Sequence, residues 1–310
     1  MSHPSFASGI LGTFHSISRG LLQRYVLHKV RCTIKVKYLN YLLNLFVLRV
    51  VGVFIVVLVT YIGDKYGAKS SGLLSAFPTV SATSLFIIAL ENGNSFASKA
   101  SLSSLFGLAA VNFFTFGFYY GYTHSNRKKL MGKTFFASIV GFIIYSIIIF
   151  AYIVKVQEGT IYNLIPLIIS FVIMRFIFRS IKEEKSIKEE NSLLNAERIR
   201  TINYLARACL GGTIVIIAII LANTFGSIYG GIFSAFPATV APILIILALT
   251  HTESFLLTTI KYVPSSLLAT GVYALSVWHT YPIHGYLIGI LISYMLFIVA
   301  VYILNILKLN

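Results

Sequence analysis

The stretch SGLLSAFPTVSATSLFIIAL at residues 71–90 recurs as GGIFSAFPATVAPILIILAL at residues 230–249. Both copies place Ser-Ala-Phe-Pro near the start of an apolar run that is long enough to cross a membrane as a helix. A proline at that point removes a backbone donor and disfavours the helical conformation of the residue before it. The repeat therefore predicts a broken or kinked helix in each half of the chain.

The duplication extends beyond these letters at a constant offset of 159 residues. Between residues 67 and 96, thirteen of thirty positions are identical to their counterparts in the second copy. The matched positions include two glycines before each proline: Gly67 and Gly72 in the first copy, and Gly226 and Gly231 in the second. Because glycines let helices approach closely, they predict tight packing of the segment that leads into each break. An internal repeat of this kind indicates that the two halves share one fold.

Composition fixes the class of protein. The 310 residues are 57% hydrophobic and only 11% charged, whereas about 25% of a soluble domain is charged. We therefore predict an all-α, polytopic transmembrane bundle that lies as a multi-pass protein in the cell membrane. The apolar runs predict nine spans, near 42–63, 72–92, 97–122, 134–155, 161–179, 204–224, 230–250, 255–277 and 283–306.

The repeat also divides the chain into segments. A basic amphipathic N-terminal segment, 1–41, precedes a first four-span repeat, 42–157. A linker span with a charged cytoplasmic helix, 158–203, leads to a second four-span repeat, 204–310. Because the span in the linker has no counterpart, the two repeats are expected to enter the membrane with opposite orientations. The sequence thus predicts an inverted-topology repeat, which is the construction of many secondary transporters.

The formal net charge of +16 comes mainly from basic residues in the N-terminal segment, near 127–133 and near 175–207. Basic residues beside membrane spans favour the cytoplasmic face and contact anionic lipid headgroups of the bilayer, so we expect no nucleic-acid partner. The span count puts the loop at 127–133 and the linker on that face. The same count puts the basic N-terminal segment outside, against the rule, so the orientation of the N-terminus stays open.

The two breaks are the candidate substrate site, because transporters bind solutes at unwound backbone in discontinuous helices. An arginine near the start of each repeat is a second candidate, since a guanidinium binds an anionic substrate or headgroup. The alternatives are a packing kink at the prolines and arginines that extend to the membrane surface. The candidate residues are Ser75, Phe77, Pro78, Ser234, Phe236, Pro237, Arg49 and Arg207.

Two carboxylates follow the proline-bearing spans. Glu91 and Glu253 are candidates for proton coupling at opposite mouths of a pathway. The alternative is that both are ordinary solvated residues at the membrane surface.

The chain lacks the motifs of the common enzyme classes: it has no phosphate-binding loop, no dinucleotide fingerprint, no HExxH and no GxSxG. We therefore expect no enzymatic activity, no cofactor and no metal. The favoured function is a secondary transporter of a small solute or a lipid-linked molecule. The alternative is a non-transporting accessory or structural membrane protein that organises a protein partner or a homodimer.

Residues 226–237 resemble a segment of the GlpM-like group of small, largely uncharacterised four-span membrane proteins, which has the pattern Gly-x-x-x-Gly-Gly-(Leu/Ile)-x-Ala-x-Pro. Residues 67–78 resemble it too, with Ser71 in place of the first glycine of the pair. The resemblance implies that the chain is a fused, inverted pair of such units. It also implies a loose association with exopolysaccharide production in bacteria.

Overall fold

A computed structural model describes residues 77–154, 159–182, 213 and 217–306. Within these ranges the regular structure is helical. The helices are α1 Thr79–Asn92, α2 Asn94–Thr123, α3 Leu130–Val154, α4 Thr160–Phe178, α5 217–225, α6 Ser227–Ser234, α7 Val240–Thr250 and α8 Glu253–Ile306. The N-terminal segment, the first predicted span and the charged helix of the linker lie outside the described residues, as do Arg49, Ser75 and Arg207.

Four of these helices, α2, α3, α4 and α8, are long and apolar enough to cross a membrane. The outer faces of α3, α4 and the end of α8 expose large apolar side chains such as Phe150, Phe176 and Met295, which suits contact with lipid. These features give the described part the character of a helical membrane protein, as predicted. The predicted spans 97–122, 134–155 and 161–179 match α2, α3 and α4 to within a few residues.

Helix α8 is two helices joined by a break. Its 54 residues would extend about 80 Å, far more than the roughly 30 Å of a bilayer core. The backbone leaves the helical conformation at Gly285, with φ 75° and ψ 167°, which only glycine adopts without strain. The break separates a first limb, 253–284, from a second limb, 286–306, in agreement with the two predicted spans in this region.

Helix α2 is the central element of the described fold. Of its most apolar stretch, 83% is buried, against 28% for α3 and α4. The first limb of α8 packs against α2 and runs antiparallel to it. At one end the Ser98 hydroxyl donates to the Trp278 carbonyl at 2.6 Å. At the other end Lys133 lies over the Tyr122 ring and pairs with Glu253 at 3.0 Å.

The second Ser-Ala-Phe-Pro segment interrupts its helix, as its proline predicts, and Phe77 and Pro78 of the first segment directly precede α1; both places are called breaks below. In the second copy, α6 ends at Ser234 and α7 begins only at Val240; in the first copy, α1 begins directly after Pro78. Both breaks have the same turn, in which the amide two residues after the phenylalanine donates back to its carbonyl. The distances are 2.7 Å from Thr79 to Phe77 and 2.6 Å from Ala238 to Phe236. Pro78 has φ −75° and ψ 46°, near the values of an inverse γ-turn.

The break also provides a donor for the Phe233 carbonyl, which cannot accept from Pro237 because proline has no backbone N–H. The Phe233 carbonyl accepts from the Phe236 amide at 3.1 Å, because the last turn of α6 tightens. The cost of an unpaired backbone group inside a membrane is thereby avoided at this position.

The short helices α1 and α7 leave the breaks in opposite directions. Helix α1 ends beside α5, where Asn92 donates to Asn223 at 2.7 Å, and the chain then enters α2. Helix α7 ends just before Glu253, at the far end of α2. With 14 and 11 residues, the two helices extend about 21 Å and about 17 Å. The breaks therefore lie roughly midway between the two ends of α2.

Candidate functional site

The two breaks border a small cavity of about 20 Å³, which is room for roughly one water molecule. Twelve of its thirteen lining residues form six pairs whose members are 159 residues apart, and the thirteenth is Ala235. The pairs are Phe77 with Phe236, Pro78 with Pro237, Val80 with Thr239, Ser81 with Val240, Leu108 with Leu267, and Val111 with Thr270. Equivalent residues of the two repeats thus meet around one cavity.

The wall of the cavity is apolar, with three hydroxyl-bearing residues and no charged side chain. The Ser81 hydroxyl donates to the Ser234 carbonyl at 3.0 Å and so joins the two breaks. The Thr270 hydroxyl donates to the carbonyl of Ser266 in its own helix at 3.0 Å. Thr239 is the third hydroxyl-bearing residue of the wall.

Both α1 and α7 begin at this cavity, because residues of their first turns line it. The first turn of a helix has backbone N–H groups without intrahelical partners and carries the positive end of the helix dipole. Neither N-cap residue, Pro78 or Thr239, caps its helix with a side-chain hydrogen bond. The two helices therefore direct two positive dipole ends towards the same small space.

A pair of aromatic rings holds each cavity phenylalanine. Tyr294 stacks on Phe77 with ring centroids 5.7 Å apart, and Phe297 meets it edge-on at 5.1 Å. In the other half, Phe142 stacks on Phe236 at 5.9 Å and Tyr145 meets it edge-on at 5.4 Å. The stacked rings are 152 residues apart, and so are the edge-on rings.

The contact between α2 and α3 corresponds to the contact between the two limbs of α8. Residues of α2 precede their counterparts in the first limb by 159 positions, and residues of α3 precede their counterparts in the second limb by 152. Gly117 and Gly121 of α2 contact Gly141 and Ala137 of α3. In the second half, Ser276 bonds to Ser293 at 3.0 Å, and Thr280 donates to the Gly289 carbonyl at 3.3 Å. The correspondence between the halves therefore continues into this next helix, after a connector that is seven residues shorter in the second half.

Sequence reasoning found part of this site. Phe77, Pro78, Phe236 and Pro237 line the cavity as predicted. Ser234 lies fully buried beside it, and its hydroxyl donates to the Gly231 carbonyl at 2.7 Å. The substrate-binding role of these residues stays a prediction, and the other three candidates lie outside the described part of the chain.

Other lining residues were missed. Leu108 and Leu267 are identical and keep the offset of 159, so following the repeat further would have identified them. Val80 with Thr239 and Val111 with Thr270 keep the offset without identity. The aromatic partners follow an offset of 152, which no run of identical residues marks.

The two candidate carboxylates lie at opposite ends of α2, and both are exposed. Glu91 accepts from the Asn223 amide at 2.8 Å, and Glu253 pairs with Lys133 at 3.0 Å. Neither lines the cavity. Their proton-coupling role stays a prediction. Among the described residues, no three His, Cys, Asp or Glu side chains come together as a metal site.

Residues 204–309 match the model of a family described as "Protein of unknown function (DUF3147)". The match covers about a third of the chain and falls on nearly the same residues as the predicted second repeat. No curated protein matches the chain. No solved structure matches it either. The GlpM-like resemblance and the fused, inverted architecture that it implies stay predictions.

Proposed function

We propose that this chain is a secondary transporter of a small solute, which binds in the cavity between the two proline breaks. The observation that carries the proposal is the lining of the cavity, where residues 159 apart meet in six pairs. Secondary transporters built from inverted repeats bind their substrates where the repeats meet, at discontinuous helices near the middle of the membrane.

The proposed inversion is supported by the directions of equivalent helices. Helix α2 and the first limb of α8 are equivalent at the offset of 159, and they are antiparallel. Helices α1 and α7 are equivalent at the same offset and leave the breaks towards opposite ends. A two-fold axis in the membrane plane accounts for both relations. With such symmetry, the site can open to one face of the membrane in one conformation and to the other face when the two repeats exchange conformations.

Single cysteines at the cavity test the proposal, in a background where Cys32 and Cys209 are replaced by alanine. Ser81→Cys and Thr239→Cys place a thiol on the wall, and Ser104→Cys places one in α2 at a site that is 1% exposed and does not line the cavity. We expect a small membrane-impermeant thiol reagent to label the two cavity positions from both faces of the membrane and to leave Ser104→Cys unlabelled.

The opposite result is equally informative. If the cavity cysteines stay as unreactive as Ser104→Cys from both faces, the breaks serve packing and the transport proposal falls. The accessory role would then become the better hypothesis, with a co-purified protein partner as its next test.

A further inference from the structure

Polar side chains of the two predicted repeats contact each other at both ends of α2. The end where α2 begins has Glu91 and Asn92 of the first repeat beside Asn223 of the second, and is called the Glu91 end below. The end where α2 finishes has Lys133 of the first repeat beside Glu253 of the second, and is called the Glu253 end. The cavity lies between these contacts, because the breaks are roughly midway between the two ends of α2.

The Glu91 end is held by hydrogen bonds. The Asn223 side chain donates to the Glu91 carboxylate at 2.8 Å and accepts from the Asn92 amide at 2.7 Å. The hydrogen bond from the Ser98 hydroxyl to the Trp278 carbonyl, at 2.6 Å, joins the repeats near the same end. One amide of the second repeat therefore binds the end of α1, and separation of the repeats at this end would break these bonds.

The Glu253 end is held by a charge pair. The Lys133 ammonium lies 3.0 Å from the Glu253 carboxylate and 4.1 Å from the centroid of the Tyr122 ring. Tyr122 is only 2% exposed, and the Lys133 side chain is 19% exposed, so the ammonium is partly withdrawn from water. An aromatic face adds a cation–π interaction to a pair that would contribute little if it were fully exposed.

The repeat shows that packing alone does not require these charges. Lys133 corresponds to Gly285 at the offset of 152, and Glu253 corresponds to Asn94 at the offset of 159. These counterparts also meet, because a Cβ at Gly285 would lie 3.8 Å from the Asn94 amide nitrogen. The fold thus brings the same two positions together at both ends, and it places opposite charges in them only at the Glu253 end.

Alternating access requires the repeats to separate at one end while they stay in contact at the other. We propose that the two sets of contacts are the gates of the cavity. The Lys133–Glu253 pair closes it to one face of the membrane, and Asn223 with Glu91 and Asn92 closes it to the other. This inference rests on the proposed transport function. It gives both carboxylates a role that needs no change in their protonation.

The rate of thiol labelling at the cavity tests each gate. Thr239→Cys is the reporter, in the background without native cysteines, and an impermeant reagent is applied from each face separately. We expect Glu253→Gln to raise the labelling rate from the face of the Glu253 end about twofold to fivefold, which corresponds to the loss of a largely exposed ion pair. Asn223→Ala should raise the rate from the face of the Glu91 end alone.

A second pair of variants separates the ion pair from a general effect of charge. Lys133→Met should raise the rate at the Glu253 end more than Glu253→Gln does, because it also removes the contact with Tyr122. Lys129→Met is the matched control: it removes an exposed positive charge from the same connector and should leave the rate unchanged.

The interaction between the two charges has two further signatures. Lys133→Met combined with Glu253→Gln should open the gate no further than Lys133→Met alone, because the pair is already broken. High salt should raise the rate from the face of the Glu253 end in the unmodified chain, and this response should disappear in the double variant, because salt screens charges.

The gates and the transport proposal fail in different ways. If the reporter labels from both faces in the unmodified chain and no gate variant changes either rate, transport stands and the gates are wrong. The gates are also wrong if Lys129→Met acts as strongly as Lys133→Met, or if each variant raises both rates equally. A reporter that stays sealed in every variant overturns both proposals.

Discussion

Gly231 shows how closely the second break is packed. A Cβ at this position would collide with the carbonyl group of Ala100, so α6 approaches the backbone of α2 without an intervening side chain. The matched glycines before each proline predicted such a tight entry from the sequence alone. The contact with Ala100 could not be predicted, because it joins segments whose proximity only the fold determines.

We expect Gly231→Ala to destabilise the protein by about 1–3 kcal/mol or more, because the added methyl group forces α6 away from α2. Gly132→Ala is the control: its Cβ would make ordinary contact with the Arg127 side chain at 3.4 Å, and alanine favours the helix. Thermal unfolding of the two variants in detergent measures the difference. Equal stability of the two would show that α6 does not pack on α2 in this way.

At the scale of the helices, the sequence predicted α2, α3, α4 and the second limb of α8 to within a few residues, and it ended the first limb of α8 seven residues too early, at 277 instead of 284. It missed how the limbs of α8 pack on each other. At an offset of 152, the runs 134–154 and 286–306 share no identical residue, so the sequence alone does not reveal this offset. Small residues on facing helices reveal it in the structure, because they let the two backbones approach.

Substitutions at Ser293 test the contact between the two limbs of α8. It is fully buried and bonds both to the Ser276 hydroxyl at 3.0 Å and to the Gly289 carbonyl at 2.7 Å. We expect Ser293→Ala to cost about 0.5–1.5 kcal/mol through the lost hydrogen bonds, and Ser293→Leu to cost more, because leucine separates the limbs.

Ser138→Ala controls for the loss of a serine hydroxyl in a helix, since the Ser138 hydroxyl bonds only within α3, to the Thr134 carbonyl at 2.9 Å. Its unfolding temperature should stay near that of the unmodified chain. A similar fall for Ser138→Ala and Ser293→Leu would argue against a close contact between the limbs.

At the scale of the molecule, the proposed inversion makes a prediction about two equivalent serines. Ser95 and Ser254 are 159 residues apart, each is the second residue of its helix, and both are exposed. In the background without native cysteines, we expect Ser95→Cys and Ser254→Cys to react with an impermeant thiol reagent from opposite faces of the membrane. Labelling of both from one face would refute the inversion and the span count behind it.

The sequence predicted the membrane class, the duplication and the breaks, because apolar runs and prolines act locally. It also singled out four residues of the cavity wall, because they belong to the repeated segment itself. The aromatic rings that pack on Phe77 and Phe236 escaped prediction for a different reason. They belong to α3 and to the second limb of α8, and they follow an offset of 152 that no identical residues mark.

The connector between α2 and α3 also bears on how the protein is made. It exposes Arg127, Lys128 and Lys129, whereas its counterpart near Gly285 has neither lysine nor arginine. The ribosome delivers the charged connector first, and clusters of this kind are retained on the cytoplasmic side during insertion. Under the proposed inversion the uncharged connector must be translocated, and its composition permits this. This short loop therefore acts with the basic linker near 175–207 to favour the proposed orientation, and moving its three charges to the later connector should weaken that preference.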